Sequence, residues 1–163
     1  MRNRANKSNV ARVGLQNRID RLRLTNVQEV ADMNPLLTAL EETEINRSQL
    51  ARELGVNSSA FANLRHVPSS LGPEKRRKLL KLVARMARDF RRFDFAEPED
   101  LREVVKKHGL RLAYLANRLG VSRNAAWLWG YVPAAPERRT EIEREIRRVG
   151  EILEAALESS KAH

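Results

Sequence analysis

Apolar residues along the chain recur three and four positions apart, and alternating apolar and polar runs are nearly absent. The first spacing lines one face of a helix, whereas strands need a period of two. In 14–24, "GLQNRIDRLRL", Leu15, Ile19 and Leu22 fall at helical spacing. "NVQEVADMNPLLTALEET" is expected to hold two short helices, with Asn34 as an N-cap and Pro35 as a first helical residue. Leu79, Leu82, Val83, Met86 and Phe90 form one stripe on a helix predicted over 73–93. A last helix is predicted from near Pro136 to near Ser159. Its Ile142, Ile146, Val149, Leu153 and Ala156 are spaced by fours and threes, a short heptad seam. Ala, Leu, Arg, Glu and Lys dominate the composition, and all are good helix formers. The expected fold class is all-α.

The pattern occurs twice. "LLTALEETEINRSQLARELGVNSSAFANLRHVP" (Leu36–Pro68) aligns without gaps to "LREVVKKHGLRLAYLANRLGVSRNAAWLWGYVP" (Leu101–Pro133). Each copy is followed by Pro-Glu and a cluster of bases, "PEKRR" and "PERR". In the first copy Leu50 and Leu54 share a helix face, and Ala51 suits a close helix crossing. Gly55 ends that helix, Val56 plugs the turn, Asn57 caps the next helix, and Phe61 and Leu64 return to the core. The second copy repeats this with Leu115, Ala116, Leu119, Gly120, Val121, Ser122, Ala126 and Trp129. Two short helices joined by a tight glycine turn make a helix-turn-helix. The predicted pairs are Arg47–Leu54 with Ser58–Arg65, and Leu112–Leu119 with Arg123–Gly130. "DFAEPED" at 94–100 interrupts the periodicity and is the expected boundary. The organisation read from this is a basic arm and short helix over 1–24, a first helix-turn-helix domain over 25–93, and a second with a C-terminal helix over 94–163.

Charge narrows the function. The 163 residues carry 31 Lys and Arg against 21 Asp and Glu, a net charge of +10. Such a surplus points to a polyanion, either nucleic acid or an anionic membrane surface, and double-stranded DNA is the partner that a helix-turn-helix implies. No cysteine is present, which excludes disulfides, thiolate metal sites and a Cys nucleophile. The three His stand apart at 66, 108 and 163, and no glycine-rich phosphate loop occurs. No catalytic, cofactor or metal site is therefore expected, and the protein is not expected to be an enzyme. The N-terminus lacks the apolar segment of a signal peptide, and no apolar run nears the ~18 residues of a membrane span. A cytoplasmic, nucleoid-associated protein without membrane contact is expected.

The repeated pattern LA-x-x-LGV-[NS]-x-x-x-apolar-x-x-[LW], with Pro a few residues later, resembles the lambda-repressor-like (Cro and repressor) helix-turn-helix family. The resemblance spans Leu36–Arg77 and Leu101–Arg139, and Trp129 falls where that family often carries Trp. It implies a five-helix DNA-binding domain, present twice, in a transcriptional regulator of a phage or mobile bacterial element, most simply a repressor. The chain departs from the family at the first position of the helix before the turn. Many members have a phosphate-contacting Gln there, where this chain has Arg47 and Leu112; Arg111 is the neighbouring substitute in the second copy.

Candidate base readers follow from the positions that face away from the core: Ser58, Ser59 and Asn63 in the first recognition helix, and Arg123, Asn124 and Trp127 in the second. Asn pairs with adenine and Arg with guanine in bidentate fashion. Because the two sets differ, two unlike half-sites are expected. Trp127 has three readings: contact with thymine methyls, a protein partner at Trp127 and Tyr131, or packing on Tyr131 or the other domain. Candidate phosphate contacts are Arg47, Arg65, Arg76, Arg77, Lys81 and Arg111. Arg2, Arg4, Lys7 and Arg12 form either a minor-groove or backbone arm or a solubilising tail. Ile142, Ile146, Val149 and Leu153 either pack within the second domain or form the seam of a homodimer through the C-terminal helix. Two other function classes stay open. One is an interaction protein whose second repeat binds RNA polymerase or another regulator. The other is a DNA-packaging or partition adaptor.

Overall fold

A computed structural model describes residues 33–66 and 71–161. The described residues are helical, with no strand among them. A first helix, α1, covers residues 33–42. It is followed by α2 (Arg47–Leu54), α3 (Ser58–Ala62), α4 (Pro73–Arg91), α5 (Pro98–His108), α6 (Leu112–Leu119), α7 (Arg123–Leu128) and α8 (Pro136–Lys161). Asn34 is itself helical, so it is not the N-cap that its position before Pro35 suggests.

The duplication in sequence is a duplication in structure. The α1–α3 segment recurs as α5–α7 at a displacement of 65 residues. In each copy a glycine in the left-handed region ends the helix before the turn: Gly55 at φ 73° and Gly120 at φ 67°. Only glycine adopts that conformation at little cost. Asn57 then caps α3 by accepting from the Ala60 amide at 2.8 Å, and Ser122 caps α7 from the Ala125 amide at 3.1 Å. Both second helices are shorter than expected and end at Ala62 and Leu128. Their last residues tighten into turns bonded over three positions, Leu64 to Phe61 and Trp129 to Ala126. That tightening turns Leu64 and Trp129 back into the core, where they are buried.

The long helices are repeat partners as well. Leu79, Val83, Met86 and Phe90 of α4 correspond to Ile142, Ile146, Val149 and Leu153 of α8 at a displacement of 63 residues. Among the helices from α2 onward, these two pack on each other most extensively. Their contacts run in opposite chain directions, with Phe93 at Arg147 and Arg91 at Glu154, so the pair is antiparallel. Gly150 marks the closest approach: a Cβ there would stand 2.8 Å from the Ala87 carbonyl and 2.8 Å from the Arg91 amide nitrogen. Ile142, Ile146, Val149 and Leu153 are each 0 % exposed. The seam thus packs on α4 of the first repeat, neither within the second repeat nor on a surface that another chain could meet. The seam is spent within one chain, on α4, because burying its own repeat partner costs no association entropy.

The boundary segment is also packed. Phe93 and Phe95 are buried and meet edge to face at 6.0 Å. Arg147 donates to the Phe93 carbonyl at 3.0 Å and pairs with Asp94 at 2.8 Å, while the Phe95 amide donates to Glu143 at 2.8 Å. At the other junction the Asn46 amide donates to the Gly109 carbonyl at 3.0 Å, and Gln49 donates to the carbonyls of Lys106 and Lys107. The two repeats are therefore not separate bodies, and their buried side chains form one continuous cluster.

Candidate functional site

The capped turns decide which side chains the second helices present. In α3 the buried Phe61 and Leu64 fix the inner face, which leaves Ser58, Ser59 and Asn63 exposed. In α7 the buried Ala126 and Trp129 do the same, and Arg123, Asn124 and Trp127 are exposed. All six candidate base readers thus lie on the surface; Ser58 and Ser59 match Arg123 and Asn124 in the repeat, whereas Asn63 matches Leu128 and Trp127 matches Ala62. Trp127 does pack on Tyr131, with ring centroids 4.5 Å apart, yet it stays 54 % exposed.

The phosphate candidates separate into three groups. Arg77, Lys81 and Arg111 are exposed and form no ion pair among the described residues. Arg47 and Arg65 are also exposed but converge on one acid: Arg47 lies 3.8 Å from Glu41, and Arg65 lies 3.5 Å from it while donating to Thr38 at 2.9 Å. Surface pairs of this kind contribute about 0–1 kcal/mol, so they leave both arginines able to exchange partners. Arg47 and Arg111, from different repeats, line the same surface cleft with Ser48, Glu41 and Glu44. Arg76 is the correction: it is 5 % exposed and belongs to the interior edge of α4. The signal was in the spacing, since Arg76 lies one turn before Leu79 on the apolar stripe. Its repeat counterpart, Arg139, precedes Ile142 in the same way and reaches the Ala96 carbonyl.

The outer face of α4 holds more cations than the expectation named. Lys78, Arg85, Arg88 and Arg92 join Arg77 and Lys81 there, all exposed and none in an ion pair among the described residues. At 100° per residue these six fall within a stripe opposite the buried Leu79, Val83, Met86 and Phe90. The stripe runs roughly 22 Å along the helix. Its pattern was visible as nine Lys and Arg against two acids over 73–93. Which of the nine face outward is a property of how α4 seats on α8: Arg91 is drawn to Glu154, and Lys75 turns inward to the Leu54 carbonyl.

The arm residues Arg2, Arg4, Lys7 and Arg12 lie outside the described residues. Among the described residues no His, Cys, Asp or Glu cluster could hold a metal ion, and no helix is long and apolar enough to cross a membrane. Compared with known proteins, the chain matches no family model, no curated protein and no solved structure.

Proposed function

We propose that the protein is a sequence-specific double-stranded DNA-binding transcriptional regulator in which α2–α3 and α6–α7 act as helix-turn-helix readers. The observation that carries the reading is the repeat itself: two glycine-turned, side-chain-capped helix pairs, each with its second helix exposed from its first residue. In this reading the N-terminal residues of α3 and α7 contact base edges, as recognition helices do. Ser58 and Ser59 read one half-site; Arg123 and Asn124 read the other. The α4 stripe and Arg111 supply the sequence-independent attraction to phosphate. Because the two readers differ in sequence and share one chain, their half-sites are unlike and need not form a palindrome. Repression, and a phage or mobile element as the setting, rest on the family resemblance.

Selection of bound sites from a random DNA pool, followed by footprinting, tests this directly. A composite site with readers spaced about one turn, or ~10 bp, is expected. If about six phosphates are neutralised, log affinity should fall against log salt with a slope near −5, and Arg77→Ala with Lys81→Ala should flatten it by about one unit per lost contact. Arg123→Ala should cost about 1–3 kcal/mol at the selected site and relax the base choice there. Absence of any enriched sequence, or a slope near zero, refutes the reading.

A further inference from the structure

The exposed large apolar residues among the described ones, Trp127, Leu128, Tyr131 and Val132, all fall within one six-residue stretch at the end of α7. Each is about half exposed, from 47 % to 54 %. The fold does not demand this. At the positions equivalent to Trp127, Leu128 and Tyr131 the first repeat carries Ala62, Asn63 and His66, small or polar, while Val132 has an identical counterpart in Val67. At three of the four positions the second repeat has therefore placed a large apolar side chain where its twin carries a small or polar one. Solvent penalises that exchange unless something covers it.

The patch is also organised. Trp127 and Tyr131 are one turn apart, with their rings 4.5 Å apart and tilted by 34°. The Arg102 guanidinium of α5 sits 4.9 Å over the Tyr131 ring. Gly130 makes that possible, because a Cβ there would stand 2.8 Å from the Arg102 Cγ. Arg102 is exposed and has no ion pair among the described residues, although Glu99 and Glu103 share its helix. A stacked Trp–Tyr pair with an arginine at its edge is the residue set that dominates protein–protein hot spots.

We infer that the C-terminal end of α7, together with Arg102, is a docking surface for an acidic amphipathic segment of a partner protein. Charge selects the occupant. The free Arg102 cation at the rim and the chain's net charge of +10 favour carboxylates around the partner's apolar anchors and oppose a second copy of this chain. DNA is the poorer occupant. Recognition helices read bases with their N-terminal residues, which leaves 127–132 at the far end, and aliphatic Leu128 and Val132 offer phosphate nothing. The surface is independent of the DNA reading and compatible with it.

The test uses the full chain and fluorescence anisotropy with three labelled probes. These are a helical peptide with Leu and Phe on one face and Glu on the other, the same peptide with Lys in place of Glu, and a random-sequence DNA duplex. The acidic peptide should bind, and the Lys peptide should not. Trp127→Ser with Leu128→Ser should weaken the acidic peptide about tenfold or more, and Arg102→Gln several-fold, with helix content unchanged because these side chains are exposed. Arg77→Ala with Lys81→Ala should weaken DNA and leave the peptide within about twofold. No binding of the acidic peptide overturns the proposal. So does binding that the Trp127 and Leu128 substitutions leave intact, or binding lost only with the α4 substitutions. If the Trp127 and Leu128 substitutions weaken DNA and spare the peptide, the patch belongs to the DNA face instead.

Discussion

Glu44 and Gly109 show how one backbone position can be filled comfortably in one repeat and under strain in the other. They stand 65 residues apart at equivalent places after α1 and α5, and both are left-handed, at φ 53° and 69°. Glutamate has a Cβ that crowds its backbone there, whereas glycine does not. Glu44→Gly should therefore raise stability by about 0.5–1 kcal/mol in urea unfolding, despite the added freedom of the unfolded chain. Gly109→Ala should lower it by about 1–2 kcal/mol, since its Cβ would also stand 2.9 Å from the Asn46 Cβ. A second residue-level prediction concerns His108, which is buried edge-on to Phe90 and 2.7 Å from Asp89. Burial pushes its pKa down, against the opposing pull of Asp89 and Glu53 and with the help of Lys107. Burial raises the Asp89 carboxyl, but hydrogen bonds from Lys107 and His108 outweigh it and hold the group below its ordinary range. A depressed histidine favours the fold above its unfolded pKa of about 6.5 and loses that contribution as pH falls toward the lower folded value. Urea midpoints should thus decline between about pH 7 and 5, and His108→Gln should flatten that limb. A variant that tracks the native protein across this range would remove His108 as the cause.

At the scale of elements, the α4–α8 pair carries the architecture. Glycine inside a helix normally costs about 1 kcal/mol relative to alanine. At Gly150 the sign should reverse, because the nearest obstacles are backbone atoms of Ala87 and Arg91 that cannot swing aside. Gly150→Ala should destabilise by about 1–3 kcal/mol, read as a lower urea midpoint, by prising the helices apart. A neutral or stabilising result would mean that α8 can slide on α4 at no cost. The same packing sorts the charges. The buried face of α4 takes the apolar stripe and Arg76, and the six exposed cations, none in an ion pair among the described residues, are left on the opposite face by geometry alone.

For the whole molecule, a shared core predicts a single cooperative unfolding event. Calorimetry should show one transition, with calorimetric and van't Hoff enthalpies in agreement. A fragment of residues 94–163 lacks α4 and would expose Ile142, Ile146, Val149 and Leu153, so by circular dichroism it should lose most of its helix content. Ile146→Asp in the full chain should unfold both repeats together, because it places an unpaired charge in the cluster they share. Two separate transitions, or a folded 94–163 fragment, would show the repeats to be independent after all.

The local grammar of this protein was legible in its residues. Gly55, Gly120, Asn57 and Ser122 act through backbone conformation and hydrogen bonds three residues away, so their roles needed nothing distant. The helical period of α4 and α8, the outward positions of α3 and α7, and the excess of cations on α4 followed from spacing for the same reason. Partner choice was not legible. The seam of α8 has the same period whether it faces another chain or α4, and only the tertiary structure shows that α4, its own repeat counterpart, fills it. Arg76 and Arg77 are adjacent bases in one cluster, and only the spacing of Arg76 three residues before Leu79 marked it for the buried face. Trp127 and Trp129, by contrast, were told apart by spacing alone, the first outward and the second in the core. Periodicity fixes which residues share a face, because that is a property of one helix. What the face meets depends on contacts between residues far apart in the chain.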